Sequence, residues 1–365
     1  MCGRTEVDWS LLPNIAELVF GRILPVYLLP GPLEDRHSLA ECLSHLSQMR
    51  HLVAEHRTSF DLYSLLSAFH PFRATDPRDK VYSLLGLAVD RDELDLPFDY
   101  NLDVEELYVM AAGRILTYDP AADIFAHCLS SKTLRLPSWV PDWSCWNYGT
   151  LGVAYSGIYS AAGETAPELT VHMSDKRLNI TGCLVDKITA LGSAILPHYR
   201  GYHDSDAAKR HEWLVEQQEL VATLGSYPTG EDLIDVLWRT LIGNLTFFKE
   251  AAEDDYRECF DAHVRADQVD VSEDERDKAR QFIDAVRRKS RTRRLATTAR
   301  GYLAAVPEES TVGDRVCMFH GYRHLFVVRE HQKRFVFLGS SYVHGLMDGE
   351  VLRAEWYRRQ TISLV

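Results

Sequence analysis

A segment near the C-terminus holds the densest group of side chains able to exchange protons. It reads Tyr-Val-His-Gly-Leu-Met-Asp-Gly-Glu from Tyr342 to Glu350. In an extended strand Tyr342 and His344 point to one side, and the two glycines allow a bend that brings Asp348 or Glu350 back toward the imidazole. An imidazole beside a carboxylate transfers protons near neutral pH. We therefore predict that His344 and Asp348 form a pair that transfers protons, with Tyr342 as a hydrogen-bond donor. Alternatively, His344 and Asp348 form hydrogen bonds with backbone groups in a turn at the end of a sheet.

A second candidate is the tryptophan-rich segment Leu-Pro-Ser-Trp-Val-Pro-Asp-Trp-Ser-Cys-Trp, residues 136–146. Aromatic side chains can wall an apolar ligand cleft in which one polar group fixes the ligand's orientation. The residues predicted to bind a substrate are Trp139, Asp142, Trp143, Trp146 and Tyr148. The alternative is that Trp139 and Trp143 fill the seam between a helical part and a sheet, since large aromatic residues commonly pack in cores.

Several other chemistries lack their sequence signatures. There is no G-x-G-x-x-G, no G-x-x-x-x-G-K-[ST] and no H-E-x-x-H, so neither a cofactor nor a metal is predicted. His320 and His324 have an i, i+4 spacing but flank a glycine, and we interpret them as surface or turn histidines. Gly339-Ser-Ser-Tyr-Val-His344 lacks the second glycine of a nucleophile elbow.

Composition narrows the class of protein. The 365 residues include 40 basic and 53 acidic side chains, a formal net charge of −13, and are 46% hydrophobic. The acidic balance argues against nucleic acid as a partner, and no apolar run reaches the roughly 20 residues that span a membrane. The N-terminus lacks a secretory signal, and the seven scattered cysteines form no C-x-x-C pair. We therefore expect a cytoplasmic protein.

Hydrophobic periodicity predicts an α+β fold. Helical spacing dominates the N-terminal and central parts, residues 169–173 and 178–188 form a β-hairpin, and short β-branched runs after residue 300 predict a small antiparallel sheet or partly closed barrel. The predicted parts are a helical part over 1–134, the tryptophan-rich connection, hairpin and helices over 135–250, charged helices with a mobile joint over 251–294, and a β-rich part over 295–365.

Two local features add detail to these elements. Asp76 can cap a short helix that begins at Pro77, and Gly86 suits a left-handed stop. Arg239 would be costly if buried alone, so we expect it to pair with Asp235, one turn earlier.

Four phrases resemble the fungal heterokaryon-incompatibility (HET) domain family. They are Ala-Thr-Asp-Pro-Arg-Asp-Lys-Val-Tyr-Ser-Leu-Leu-Gly-Leu from Ala74, Leu-Pro-Ser-Trp-Val-Pro-Asp-Trp from Leu136, Leu-Trp-Arg-Thr-Leu from Leu237, and the segment from Tyr342 to Glu350. The resemblance implies a fungal origin, a role in incompatibility, and similarity to the region that follows the family's TIR-like effector domain. That domain normally opens with a Tyr-x-Ala-Leu-Ser-Tyr motif, which does not occur in this sequence.

Two functions are compatible with these features. One is a cofactor-independent enzyme that cyclises, isomerises or dehydrates a small organic molecule of fungal secondary metabolism, with His344, Asp348 and Tyr342 as catalytic residues. The other is a non-catalytic regulatory or interaction protein whose partner is a HET-family protein. A closed aromatic cavity with convergent polar groups would favour the enzyme, and a large exposed apolar patch would favour the interaction protein.

Overall fold

The structure, a computed structural model, confirms the α+β class. It describes residues 60–70, 72–128, 132–145, 157–195, 207–246, 250–265, 272–289 and 292–365. The chain divides into a smaller unit, Met1–Tyr118 with Trp143–Trp146, and a larger unit, Asp119–Asp142 with Asn147–Val365. No helix in the described residues is both long and apolar enough to cross a membrane.

The described part of the smaller unit is helical. Its helices are α1 (Leu62–Ala68), α2 (Asp79–Leu85), α3 (Arg91–Leu94) and α4 (Val104–Tyr118). Asp61 caps α1 by accepting a hydrogen bond from the Ser64 backbone at 2.7 Å. Helix α4 is amphipathic, and Leu107 and Ile115 of its apolar face are buried.

The predicted ends of α2 differ from those observed. Asp76 accepts from the backbone and side chain of Arg78, both at 3.0 Å, and so forms a turn before the helix, which begins at Asp79. Gly86 stays right-handed, with φ −67°, because the Leu87 and Ala88 amides continue the helical hydrogen bonding to Leu84.

The larger unit contains the sheet and the remaining described helices. Its strands are β1 (Leu169–His172), β2 (Arg177–Ala194), β3 (Arg293–Thr298), β4 (Leu303–Pro307), β5 (Arg315–Phe319), β6 (Leu325–His331), β7 (Arg334–Val343) and β8 (Gln360–Leu364). Its helices are α5 (Ala207–Ala222), α6 (Leu233–Leu241), α7 (Arg257–Arg265), α8 (Glu273–Lys289) and α9 (Glu350–Arg353).

Six strands close into a ring in the order β2–β3–β4–β7–β6–β5, because β5 pairs back with β2. The long strand β2 makes this possible. Its first half pairs with β1 and β8, its middle with β5, and its last residues with β3. Gly182 lies at the crowded β2–β5 contact, where a Cβ would stand 2.1 Å from the Met318 carbonyl oxygen. Of the two forms predicted for the C-terminal part, a small antiparallel sheet or a partly closed barrel, the ring corresponds to the barrel, and β2 of the predicted hairpin is part of its wall.

Apolar side chains of five helices, α5 to α9, pack with the barrel in one continuous core. Helix α6 contributes Val236, Leu237 and Leu241, all fully buried. The charged segment, for which the sequence predicts one or two solvated helices, contains α7 and α8. These helices are more than solvated elements, since Phe260 and Phe282 pack edge to face at 5.3 Å within the core.

The four-part division predicted from the sequence remains a prediction about the organisation of the chain. In the structure, the hairpin of the second part and the strands of the fourth share one sheet. The predicted joint has no assigned position in the charged segment, of which residues 266–271 lie outside the described residues.

Candidate functional site

The end of β7 places the first two predicted catalytic residues side by side. Tyr342 belongs to β7 and pairs with Ala305 of β4, and the His344 amide extends that ladder by donating to the Leu303 carbonyl at 3.1 Å. Two residues apart on extended backbone, both side chains project to the same face. The Tyr342 Oη lies 2.9 Å from His344 Nδ1, and both side chains are buried.

The carboxylate partner of His344 is Glu231. Its Oε2 lies 2.9 Å from His344 Nε2, and the Thr229 hydroxyl donates to the same oxygen. An ionised carboxylate can only accept, so Nε2 carries the proton, Nδ1 of the neutral ring accepts, and Tyr342 donates. Tyr342, His344 and Glu231, which we call the relay, thus link a buried phenol to a carboxylate whose side chain is 39% exposed.

The α5–α6 loop, residues 223–232, brings Glu231 to the barrel. From the same loop, the buried Tyr227 hydroxyl donates to the His344 carbonyl at 2.8 Å and accepts from the Leu303 amide at 3.1 Å. Gly345 completes the fit, because its φ is +79° and a Cβ there would stand 2.7 Å from Thr229 Cγ2. The loop and the end of β7 are therefore tied together by both backbone and side-chain contacts.

The predicted pairing of His344 with Asp348 does not occur in the structure. Asp348 is exposed, and its backbone amide donates to Glu350 Oε2 at 2.7 Å at the start of α9. The glycines do bend the chain, but the bend leads into that short helix while Glu231 already occupies Nε2. Glu231 therefore holds the position next to His344 that the sequence analysis predicted for Asp348.

Burial sets the protonation states of the relay. It lowers the pKa of His344 in spite of the attraction of Glu231, and it raises the pKa of Tyr342 well above its ordinary value. Burial also tends to raise the pKa of Glu231, but the Thr229 hydrogen bond and the charge of His344 outweigh this, and the net pKa is lowered. Near neutral pH the set is therefore phenol, neutral imidazole and carboxylate. Such a chain can transmit a hydrogen-bond rearrangement from the surface to the buried phenol.

The residues of the tryptophan-rich segment fall into different parts of the structure. Trp139 and Asp142 are in the larger unit, Trp143 is in the smaller one, and Trp146 and Tyr148 lie outside the described residues. Trp139 is fully buried and donates to the Lys176 carbonyl at 2.9 Å. Asp142 Oδ2 accepts from the backbone amide and the hydroxyl of Thr133, each at 2.9 Å. Both residues have the contacts expected of structural anchors.

The smaller unit has a pocket of about 300 Å³ lined by Phe72, Arg73, Ala74, Pro77, Lys80 and Ser144, none of which was predicted as a site residue. Burial lowers the pKa of Lys80 to about 8. Its amino group donates to backbone carbonyls of residues 69, 70 and 72. The lysine ammonium therefore holds the backbone that follows α1, and its hydrogen bonds go to these carbonyls and not to the pocket.

The remaining predicted features concern histidines and Arg239. In the described residues no group of three or more His, Cys, Asp or Glu side chains could hold a metal ion. His320 and His324, expected at the surface or in a turn, flank a turn but are buried. Arg239 pairs with Asp254 and not with Asp235, whose Oδ1 is taken by Trp238 and Arg257.

Sequence reasoning missed Glu231, Thr229 and Tyr227. They lie more than 110 residues before His344 in a polar loop, where Asp232 alone carries a recognisable signal as the cap of α6. A carboxylate next to a helix cap has an ordinary local explanation, so its partnership with His344 becomes visible only when the loop is placed on the barrel.

Comparisons with known proteins agree with this architecture. Residues 213–365 match the family described as the Het-6 beta-barrel domain. Heterokaryon incompatibility protein 6, OR allele, of Neurospora crassa is 24% identical over an alignment 368 positions long, which covers 83% of this chain and 53% of that protein. The chain thus spans about half the length of that curated relative. No solved structure matches the chain.

The family match begins within α5, whereas the ring also requires β2, which precedes it. The alignment with the Neurospora protein extends over most of the chain, so the similarity is not confined to the barrel. The family relation that the four sequence phrases predicted is confirmed. This chain is related to the heterokaryon-incompatibility proteins, and its residues 213–365 match their Het-6 beta-barrel domain.

Proposed function

We propose that the chain is a non-catalytic regulatory or interaction protein of heterokaryon incompatibility, and that its partner is a HET-family protein. The observation that carries this proposal is the internal satisfaction of the relay. Both ring nitrogens of His344 are hydrogen-bonded within the protein, and the Tyr342 phenol is buried. A buried polar set with all its partners in place stabilises a specific arrangement of loop and barrel. The Neurospora relative is named as a heterokaryon incompatibility protein, which supports the same role for this chain.

The proposal is tested by complex formation. The purified chain is mixed with the Neurospora relative, and the mixture is measured by sedimentation velocity at several concentrations. A concentration-dependent complex, absent when an unrelated acidic protein replaces the chain, is the expected result. Two independently sedimenting species at all concentrations would contradict the proposal.

A second candidate is the cofactor-independent enzyme acting on a small organic molecule. It is favoured by one observation, the connection of a neutral imidazole to both a phenol and a partly exposed carboxylate. In this hypothesis Glu231 takes the place of Asp348 as the acid–base partner of His344.

The enzyme is tested by a thermal-shift screen against fungal extracts, followed by mass spectrometry of any retained molecule. Conversion of that molecule by the wild-type chain, and its loss in a folded Glu231→Gln variant, would support catalysis. Retention without conversion would contradict it.

A further inference from the structure

Three aromatic rings form a cluster on the smaller unit. The ring centroids of Tyr82 and Phe98 lie 4.8 Å apart, those of Tyr82 and Tyr100 5.2 Å, and those of Phe98 and Tyr100 5.5 Å with an interplanar angle of 87°. We call these three residues the aromatic cluster. Its distances and angles are those of favourable edge-to-face and tilted ring pairs.

The cluster has a buried base and an exposed top. Tyr82 is 3% exposed, whereas Phe98 is 67% and Tyr100 46% exposed. A single exposed apolar residue is ordinary, but two adjacent exposed rings supported by a third present a coherent apolar surface.

Hydrogen bonds hold the exposed rings in place. The Tyr82 hydroxyl donates to the Asp99 carbonyl at 2.8 Å and accepts from the Asp99 amide at 3.3 Å, which fixes the backbone between the two exposed rings. The Arg78 guanidinium lies 5.4 Å from the centre of the Tyr100 ring and donates to the Leu102 carbonyl at 3.2 Å. A surface that is already rigid loses little conformational entropy on binding.

Acidic residues contact the cluster and are frequent in the stretch of chain that contains Phe98 and Tyr100. Asp79 accepts a hydrogen bond from the Tyr100 hydroxyl, Asp76 neutralises Arg78 at 2.8 Å, and Asp99 lies between the exposed rings in sequence. Within residues 91–106 the exposed acidic residues are Asp92, Glu93, Asp95, Asp99, Asp103 and Glu106. Two of them have basic partners, since Asp92 pairs with Arg91 at 3.2 Å and Asp95 with Arg114 at 3.9 Å. The whole chain carries a net charge of −13, so the local and overall fields have the same sign.

We propose that the aromatic cluster is a docking surface for a basic segment of a partner protein, in which Lys or Arg side chains lie on Phe98 and Tyr100 and neighbouring apolar side chains cover the rings. A cation over an aromatic face is attracted by the ring, and nearby carboxylates strengthen its binding. Charge complementarity also speeds the encounter with a basic partner. This inference deepens the proposed interaction function, on which it rests, by naming the surface and the chemistry of the partner.

The test uses fluorescence anisotropy with three labelled twelve-residue peptides, which alternate Arg with Leu, Glu with Leu, and Arg with Gly. The variant is Phe98→Ala. Leu87→Ala is the matched control, because Leu87 is also in the smaller unit and is 66% exposed. Thermal melting first establishes that both variants are folded.

The Arg–Leu peptide should bind the wild-type chain, and its dissociation constant should rise at least tenfold in Phe98→Ala but stay within twofold in Leu87→Ala. The Arg–Gly peptide should bind more weakly because it lacks apolar side chains, and the Glu–Leu peptide should not bind. Absence of Arg–Leu binding, equal effects of the two substitutions, or equally tight Glu–Leu binding would overturn the inference.

The outcome can be separated from that of the proposed function. A complex with the Neurospora relative that is unaffected by Phe98→Ala would overturn this surface and leave the interaction function standing. Selective Arg–Leu binding that depends on Phe98, in the absence of any complex with HET proteins, would support the surface and count against the proposed partner.

Discussion

Hydrogen-bond direction around His344 depends on Glu231. Because the carboxylate accepts from Nε2, Nδ1 of the neutral imidazole must accept from the Tyr342 phenol, and the other neutral tautomer would leave two acceptors, Nε2 and the Glu231 carboxylate, facing each other. Burial makes this arrangement strict, since water cannot easily replace a missing partner of a buried polar atom. His344 is therefore a point at which the α5–α6 loop and β7 depend on each other.

At this scale we expect Tyr342→Phe to lower the free energy of unfolding by about 1–2 kcal/mol, because it leaves the buried Nδ1 of His344 without its donor. Tyr357→Phe is the matched control, since the Tyr357 hydroxyl also meets a histidine nitrogen, Nε2 of His320, at 2.8 Å, but Tyr357 is only half-buried. Urea unfolding should show less than half as large a loss for the control. Equal losses would argue against a special role for burial in the relay.

At the scale of elements, the α7–α8 pair illustrates how a polar side chain is held in a core. His263 of α7 is buried and stacks with Phe282 of α8 at a ring distance of 5.5 Å. Burial lowers the pKa of His263 to about 4, well below the ordinary value of 6.5. The packing of the two helices therefore favours the neutral ring.

The sign of the pH effect follows from that lowered pKa. As pH falls from 6.5 toward 4, the unfolded state binds a proton at residue 263 and the folded state does not, so His263 lowers the unfolding free energy over this window by up to about 3 kcal/mol. A His263→Gln variant lacks this loss, so its stability relative to wild type should increase as the pH falls.

Urea unfolding at pH 7.5, 6.5, 5.5 and 4.5 measures the difference. The matched control, His211→Gln, replaces an exposed histidine of α5, and its stability relative to wild type should change much less with pH. A pH-independent difference between His263→Gln and wild type would contradict the effect of burial.

At the scale of the whole molecule, closure of the barrel depends on β2. This strand pairs with β1, β3, β5 and β8, and it joins the ring from outside the residues that match the Het-6 beta-barrel domain. Without β2, the inner edges of β3 and β5 would present unpaired backbone groups.

We therefore expect a fragment of residues 213–365 to fail to fold cooperatively, whereas a fragment of residues 119–365, which retains β2, should show a cooperative transition. Near-ultraviolet circular dichroism and thermal melting of both fragments provide the measurement. Cooperative melting of the shorter fragment with the same near-ultraviolet spectrum would show that the ring closes without β2.

The sequence by itself determined the features that rest on local pattern. Alternation and helical spacing identified the hairpin, the helical character of the central part and the C-terminal strands, and two-residue spacing on an extended strand placed Tyr342 beside His344. Four short sequence phrases also indicated the resemblance to HET proteins, which the comparisons confirm. These signals operate over a few residues, so they survive without knowledge of the fold.

Only the tertiary structure decided which distant groups meet. Glu231, and not Asp348, is the partner of His344 because the α5–α6 loop lies on the barrel. Arg239 pairs with Asp254 because Asp235 is hydrogen-bonded to Arg257. Closure of the ring by β2 is likewise a long-range pairing. Competition among distant partners depends on the whole arrangement of the chain, and no spacing rule within one segment encodes it.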